Sequence, residues 1–261
     1  MSLKQAVKTA IATVWDLAQR IVGPAPKLTI LYYHAVPAAL AAAFDAQMAY
    51  LKRTANILPA DHVGPLAADR PSVAVTFDDA FRSVRENALP ALIRHGVTAT
   101  IYVPTGYIGR TPGWRMETTG DREEVVMTRE EIAALPTDLI AIGSHTVDHP
   151  HLTKLAPDEV AAQFTASRAT LEGLLARPVD TLAFPYGDHD AAVVERARAA
   201  GYRFVYTVTP QAIRSGEAQI SRGRTSADPA DSLYVFALKT RGAFDWMPIA
   251  SRMKAALRSR S

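Results

Sequence analysis

The sequence predicts an α/β protein of about seven parallel strands, nearer an irregular (β/α) barrel than a small open sheet. Two observations carry this prediction. Strand-like and helix-like segments alternate almost throughout the 261 residues, and no repeat or linker divides the run. The composition, 48% hydrophobic and 21% charged with Gly 14 and Pro 17, is globular, which excludes disordered and collagen-like classes.

In chain order, Leu3, Val7, Ile11, Val14, Ala18 and Ile21 recur at helical spacing, so residues 1–22 form an amphipathic helix. Packing of its apolar face on the domain is the favoured reading, and peripheral membrane contact through residues 1–22 is the alternative. The Gly23 to Pro26 break ends this helix, and strands follow at Leu28–Tyr33 and Val73–Phe77, with a helix through Phe44, Met48 and Leu51 between them. Alternation continues with helix 84–93, strand 98–103, a helix from Thr128, strand 139–142, helix 157–175, strand 181–184, helix 191–200, strand 203–207 and a late strand at 219–221. The stretch from Tyr107 to Val126, with Gly109, Pro112, Gly113, Trp114 and Gly120, is long for a connection and is expected to act as a lid or a substrate-contacting loop. The expected organisation is a helix and linker at 1–26, a catalytic domain at 27–240, and a basic helix or tail at 241–261.

With Cys 0, any metal must sit on histidine and carboxylate. The formal charge of +3 is too dispersed for a nucleic-acid footprint, so no nucleic-acid partner is expected. The apolar runs are too short for a membrane span. Asp16, Gln19 and Arg20 interrupt the would-be signal core, so a cytoplasmic or membrane-peripheral location is expected. The oligomeric state is left open.

Chemistry-bearing residues gather where the strands end, the edge at which ligands bind in such folds. Asp78 and Asp79 close the strand 73–77. Two adjacent carboxylates call for a cation or a shared proton, or else they cap a turn. Ser144 to His151 follows the next candidate strand. A helical turn there would set His145 and His149 on one face, suited to one divalent metal, and an Asp with two His leaves positions open for water and substrate. Phe184-Pro185-Tyr186-Gly187-Asp188 is a rigid turn at a third strand end, able to aim a backbone N–H at an oxyanion or simply to turn the chain. His34, after Tyr32 and Tyr33, ends the first strand.

Together these segments resemble the NodB-type polysaccharide deacetylases of carbohydrate esterase family 4. Thr76-Phe77-Asp78-Asp79-Ala80 is similar to the family's TFDDG motif, Ser144 to His149 to its SH[ST]xxxH metal motif, and Phe184-Pro185-Tyr186-Gly187 to its third motif, over roughly residues 28 to 225. The resemblance implies the NodB homology or glycoside hydrolase/deacetylase barrel and a carbohydrate substrate. It also implies Asp78 as general base, and Asp79, His145 and His149 as ligands of one divalent metal, zinc foremost with cobalt, nickel or iron open. Tyr186 would supply an oxyanion-hole N–H, with Phe184 and Pro185 beside it in the oxyanion and substrate-binding turn. The sequence departs from the pattern in three places. Ala80 replaces the motif glycine, Thr181-Leu182-Ala183 occupies the place of the arginine that usually precedes the third motif, and no histidine follows His189.

Leu31 to Val36 instead resembles the YHxV segment of the circularly permuted branch, which includes the poly-N-acetylglucosamine deacetylases of biofilms. That implies His34 as general acid and a late arginine, expected at Arg222 with Arg224 as rival. The expected activity is metal-dependent hydrolysis of the N-acetyl group of an N-acetylglucosamine-type poly- or oligosaccharide to amine and acetate. The alternatives are an O-acetyl sugar esterase and a catalytically weak carbohydrate-binding relative. A glycosidase has no need of the two histidines, and no phosphate-cradling loop supports a phosphodiesterase.

Overall fold

In the computed structural model, which describes residues 3–23, 25–114, 123–216 and 219–258, strands and helices alternate around one curved sheet. The strands are β1 (Lys27–Tyr33), β2 (Asn56–Ile57), β3 (Ser72–Phe77), β4 (Ala99–Val103), β5 (Ile140–Ser144), β6 (Thr181–Ala183), β7 (Phe204–Tyr206), β8 (Ile213–Arg214), β9 (Ser221–Arg222) and β10 (Thr225–Ser226). The helices are α1 (Leu3–Val22), α2 (Ala41–Thr54), α3 (Leu89–His95), α4 (Arg129–Ala133), α5 (Pro157–Leu175), α6 (Ala191–Ala199), α7 (Leu233–Thr240) and α8 (Met247–Arg258).

Along the sheet the order is β10-β1-β3-β4-β5-β6-β7-β9, and every neighbouring pair is parallel. The two edge strands β9 and β10 are consecutive in the chain, joined by Gly223 and Arg224. The sheet is therefore a nearly closed barrel with its seam at that link. β2 adds to β3, and β8 pairs antiparallel with the start of β1.

The local chemistry explains the elements. β3 reads SVAVTF and is buried along its whole length, as expected for a parallel strand covered on both faces. α5 starts at Pro157, where the missing N–H costs nothing, and Glu159 reaches back to the Ala156 N–H at 2.8 Å. Thr128 and Glu131 form a reciprocal capping box on α4. Leu31, Val75, Ile101 and Ile140 join Phe44, Met48 and Leu92 in the main apolar core between sheet and helices.

The short pairs at β8 and β10, and helix α7, go beyond the sequence expectation. So does a five-residue π-type turn, Val84–Ala88, ahead of α3. Of the stretch 107–126, residues 115–122 lie outside the described residues. Its two ends are tied together by Gly109 N–H to Val126 O at 3.1 Å and Val126 N–H to Arg110 O at 2.9 Å. At the termini, α1 lies in the segment expected to be helical, α8 falls within the stretch expected as a helix or tail, and residues 259–261 lie outside the described part. Among the described residues no helix is long and apolar enough to cross a membrane.

α1 corrects one expectation. Its apolar stripe does not pack on the domain: Leu3, Val7, Ile11, Val14, Leu17 and Ile21 are exposed, while Asp16 and Ala12 face inward. Polar partners hold that inner face, with Arg241 Nε donating to Asp16 Oδ1 at 2.8 Å and Lys27 Nζ to Gln19 Oε1 at 2.9 Å.

Candidate active site

The three motif turns and His34 follow the carboxyl ends of β1, β3, β5 and β6, so parallel alignment brings four separate sequence segments to one rim. A cleft of about 370 Å³ opens there, bordered by His34, Asp78, Asp79, His145, His149 and Tyr186. Its wall also includes Tyr32, Trp114 and Val208.

The backbone at this rim is unusual. Asp79 (φ 67°), Ala80 (φ 50°), Thr146 (φ 68°), His149 (φ 54°) and Tyr186 (φ 58°) all adopt left-handed conformations, and the only other non-glycine positive φ among the described residues is at Ala176. Such conformations cost about 1 to 2 kcal/mol each for residues with a Cβ. Their concentration at the motif turns marks strain held by the surrounding packing. Ala80, standing where the motif has glycine, adopts the conformation for which glycine is the natural residue. Gly187 (φ +65°) is needed sterically as well, since a Cβ there would lie 2.3 Å from Val208 Cγ2.

His145 and His149 do not share a helix face, which corrects the sequence reading. The segment after β5 is irregular, and the left-handed residues Thr146 and His149 turn the second imidazole back toward the first, with ring centroids 4.8 Å apart. Thr146 Oγ1 accepts from the His149 N–H at 3.1 Å and holds the turn. Gln163 of α5 accepts the next two backbone N–H groups, of Val147 and Asp148.

One oxygen, Asp79 Oδ1, lies 3.6 Å from His145 Nε2 and 3.4 Å from His149 Nε2. The ligand atoms of these three buried residues all lie within 4.8 Å of one another. Burial lowers the His145 pKa to about 4 against the opposing charge of Asp78, and burial likewise lowers that of His149, so both imidazoles are neutral near pH 7. His145 Nδ1–H donates to the Ala183 carbonyl at 2.8 Å, which fixes the tautomer and leaves the Nε2 lone pair directed at the Asp79 side. Lone pairs thus converge without the protons that would make them ion pairs. Two imidazoles and a carboxylate in this arrangement fit a divalent cation. Trp114 stacks on His149 at 4.4 Å, and Tyr186 meets it edge-on at 4.6 Å.

Asp78 is held differently from its neighbour. Arg224 donates from Nη1 to Oδ1 at 2.7 Å and from Nη2 to Oδ2 at 2.8 Å, a bidentate pair that is fully buried. Burial would raise the Asp78 pKa, but the Arg224 charge, with His145 and the Arg224 hydrogen bonds, lowers it to about 2. Arg224 also donates to Thr207 O and Thr76 Oγ1, and its guanidinium lies over the rings of Tyr32 and Tyr102.

Arg222, the expected arginine, points elsewhere: Nη1 donates to Ala60 O at 2.6 Å and the guanidinium stacks on Phe204 at 3.9 Å. Two residues apart, the two arginines would share a face of a continuous strand. Gly223 and Arg224 instead form the link between β9 and β10, and the break there gives Arg222 and Arg224 different surroundings. Phe184 and Pro185 do not border the cleft. Both are buried, Phe184 in the cluster with Phe164 and Val205, so of the third motif it is Tyr186 that reaches the open space.

His34 is exposed at the cleft and meets Tyr32 edge-on at 5.7 Å. The rival His189 bonds Gly187 O at 2.7 Å and stacks on Phe184, behind the motif turn. Nothing in the sequence pointed to Val208 as part of the wall, whereas Trp114 belongs to the long connection expected to contact substrate.

Comparison with known proteins adds the family and the fold type. The family model for polysaccharide deacetylase matches residues 66–205, more than half of the chain. The chain belongs to the polysaccharide deacetylase family. This deacetylase is 25% identical over 217 residues to YxkH of Bacillus subtilis (strain 168), which carries a provisional polysaccharide deacetylase name; the match spans 79% of this chain and 73% of that one. Its fold is shared with the Streptococcus pyogenes deacetylase PplD, solved in complex with acetate (TM-score 0.68, 22% identity, 83% of this chain and 99% of that one). It is shared equally with IcaB from Ammonifex degensii (TM-score 0.68, 24% identity, 82% and 97%). The barrel of this deacetylase is thus of the NodB type expected from its motifs.

Proposed function

We propose that this deacetylase removes the acetyl group from the nitrogen of an N-acetylglucosamine-type poly- or oligosaccharide and depends on one divalent metal held by Asp79, His145 and His149. One observation carries the reading: a lone-pair donor set, an ionised carboxylate clamped by arginine and an accessible histidine border the same cleft. When bound, a divalent cation supplies Lewis acidity toward water and the acetyl carbonyl, and the nitrogen–oxygen donor set suits zinc, cobalt, nickel or iron.

The chain's own residues divide the remaining work. Asp78 is ionised throughout the neutral range and accepts the proton of the attacking water as it adds to the acetyl carbon. Arg224 fixes the plane of that carboxylate and leaves it no rotational freedom. The backbone N–H of Tyr186 donates to the carbonyl oxygen as it becomes an oxyanion. His34 then gives a proton to the sugar nitrogen as the C–N bond breaks, releasing acetate and the free amine. The aromatic wall of Tyr32, Trp114 and Tyr186 suits the apolar face of a pyranose ring. The arginine missing from the third motif is compensated by Arg224, which removes one motive for reading the chain as an inactive sugar-binding relative.

The test is acetate release from N-acetylglucosamine oligomers and from O-acetylated xylan, before and after chelation and metal reloading. Release from the oligomers that chelation abolishes and a divalent metal restores is the expected result. Release from the xylan alone would make the protein an O-acetyl esterase instead.

A further inference from the structure

α1 is turned inside out relative to an ordinary surface helix. Over its 20 residues, about 30 Å of helix, one side carries Leu3, Val7, Ile11, Val14, Leu17 and Ile21, and that side faces solvent, with Leu3 83%, Val14 68% and Ile21 80% exposed. Its polar side is the one consumed by the domain, through Asp16 to Arg241, Gln19 to Lys27 and Thr13 to Tyr234. The apolar surface extends beyond the helix. Leu233 and Tyr234 at the start of α7 are exposed, as are Ile249 and Met253 on α8, and Ile249 lines a groove of about 550 Å³ with Ala18 and Val22 of α1. A contiguous exposed apolar surface of this kind marks an interaction site.

We infer that this face docks the protein on an anionic lipid surface, with α1 lying in the plane of the bilayer interface. Charge selects that occupant. α1 and α8 contain Lys4, Lys8, Arg20, Arg252, Lys254 and Arg258 and a single acidic residue, Asp16, which is turned inward onto Arg20 and Arg241. A second copy of the chain placed against this face would bring the same cationic helices together, whereas anionic headgroups complement them. An apolar stripe flanked by basic residues on a helix too polar to span a membrane is the pattern of an interfacial helix. The orientation follows from the contacts. Gln19 and Asp16 sit at the amino end of β1, on Lys27 and Arg241, whereas the cleft lies beyond the carboxyl end of β1, past Tyr33. Docked through α1, the protein presents its cleft away from the lipid, toward a polymer in the aqueous phase.

The experiment is co-sedimentation of the full chain with phosphatidylcholine vesicles containing phosphatidylglycerol at about one part in three, beside pure phosphatidylcholine, with sedimentation velocity in the absence of lipid. The variant is Val7→Glu with Val14→Glu, both solvent-facing in the structure and helix-compatible, with circular dichroism reporting the fold. The expected result is pelleting of the wild type with the anionic vesicles, weakened by salt, and a bound fraction about tenfold lower for the folded double variant. Wild type that stays in the supernatant with anionic vesicles overturns the inference. So does a double variant that pellets like wild type, or a lipid-independent dimer of the wild type that the variant dissolves while vesicles remain unbound.

Discussion

Arg224 spans the seam of the barrel to grip both oxygens of Asp78, with Nη1 and Nη2 at 2.7 and 2.8 Å, and joins the last strand of the sheet to the end of β3. The pair is 146 residues apart in the chain and lies where β9 and β10 part. Removing one member leaves the other buried and uncompensated, which costs about 3 to 5 kcal/mol. Arg224→Met is therefore expected to lower thermal stability sharply and to abolish turnover. Arg222→Met, which loses a bond to Ala60 and a stack on Phe204, is expected to lower stability while the folded fraction keeps its specific activity. Denaturation curves with activity per folded molecule decide it; equal activity losses in the two variants would return Arg222 to the site.

Asp78→Asn separates base from ligand. The metal content is expected to remain at about one ion per chain, because Asp79 and the two histidines hold it, while acetate release falls by about two to four orders of magnitude. His145→Ala and His149→Ala are expected to lose the metal itself. Elemental analysis of the purified variants reads both, and wild-type metal content in a folded histidine variant would refute the ligand set.

His34→Ala is expected to abolish deacetylation of N-acetylglucosamine oligomers and to spare an activated aryl acetate, whose phenolate leaves without a proton. His189→Ala, whose imidazole bonds Gly187 O behind the turn, is expected to leave this ratio unchanged. The two-substrate ratio is the measurement. A selective loss in His189→Ala would transfer the acid role there.

The metal-free protein is expected to lose stability in acid in two stages. His145 has a folded pKa lowered by burial to about 4 from 6.5, so between those values the unfolded chain binds the extra proton and stability falls as pH falls. His149, lowered in the same direction, adds to this stage. Asp78, lowered from 3.8 to about 2 by Arg224 against the effect of burial, contributes stability that is present above 3.8 and is lost as pH falls toward 2. Chemical denaturation from pH 7 to 2 after chelation checks this, and a flat stability between pH 6.5 and 4 would contradict the neutral-histidine assignment.

Local pattern alone determined much of this protein. Hydrophobic runs such as Val73–Phe77 and the bounds 157–175 of α5 coincide with observed elements, because burial on both faces and an N-terminal proline write themselves into neighbouring residues. The alternation of strand and helix implied a parallel barrel, and parallel strands place every motif that follows a strand at one rim, so Asp78, Asp79, His145, His149, Tyr186 and His34 were recognisable as a group. Three things were decided only in the tertiary structure. The two histidines meet through left-handed residues in an irregular turn, and spacing along the chain does not record the sign of φ. Arg224 rather than Arg222 meets Asp78, because the choice depends on where the barrel fails to close. The apolar face of α1 looks outward, because the partners that claim its polar face, Arg241 and Tyr234, stand more than two hundred residues away. Helical periodicity defines two faces, but only the long-range contacts determine which of them the domain takes.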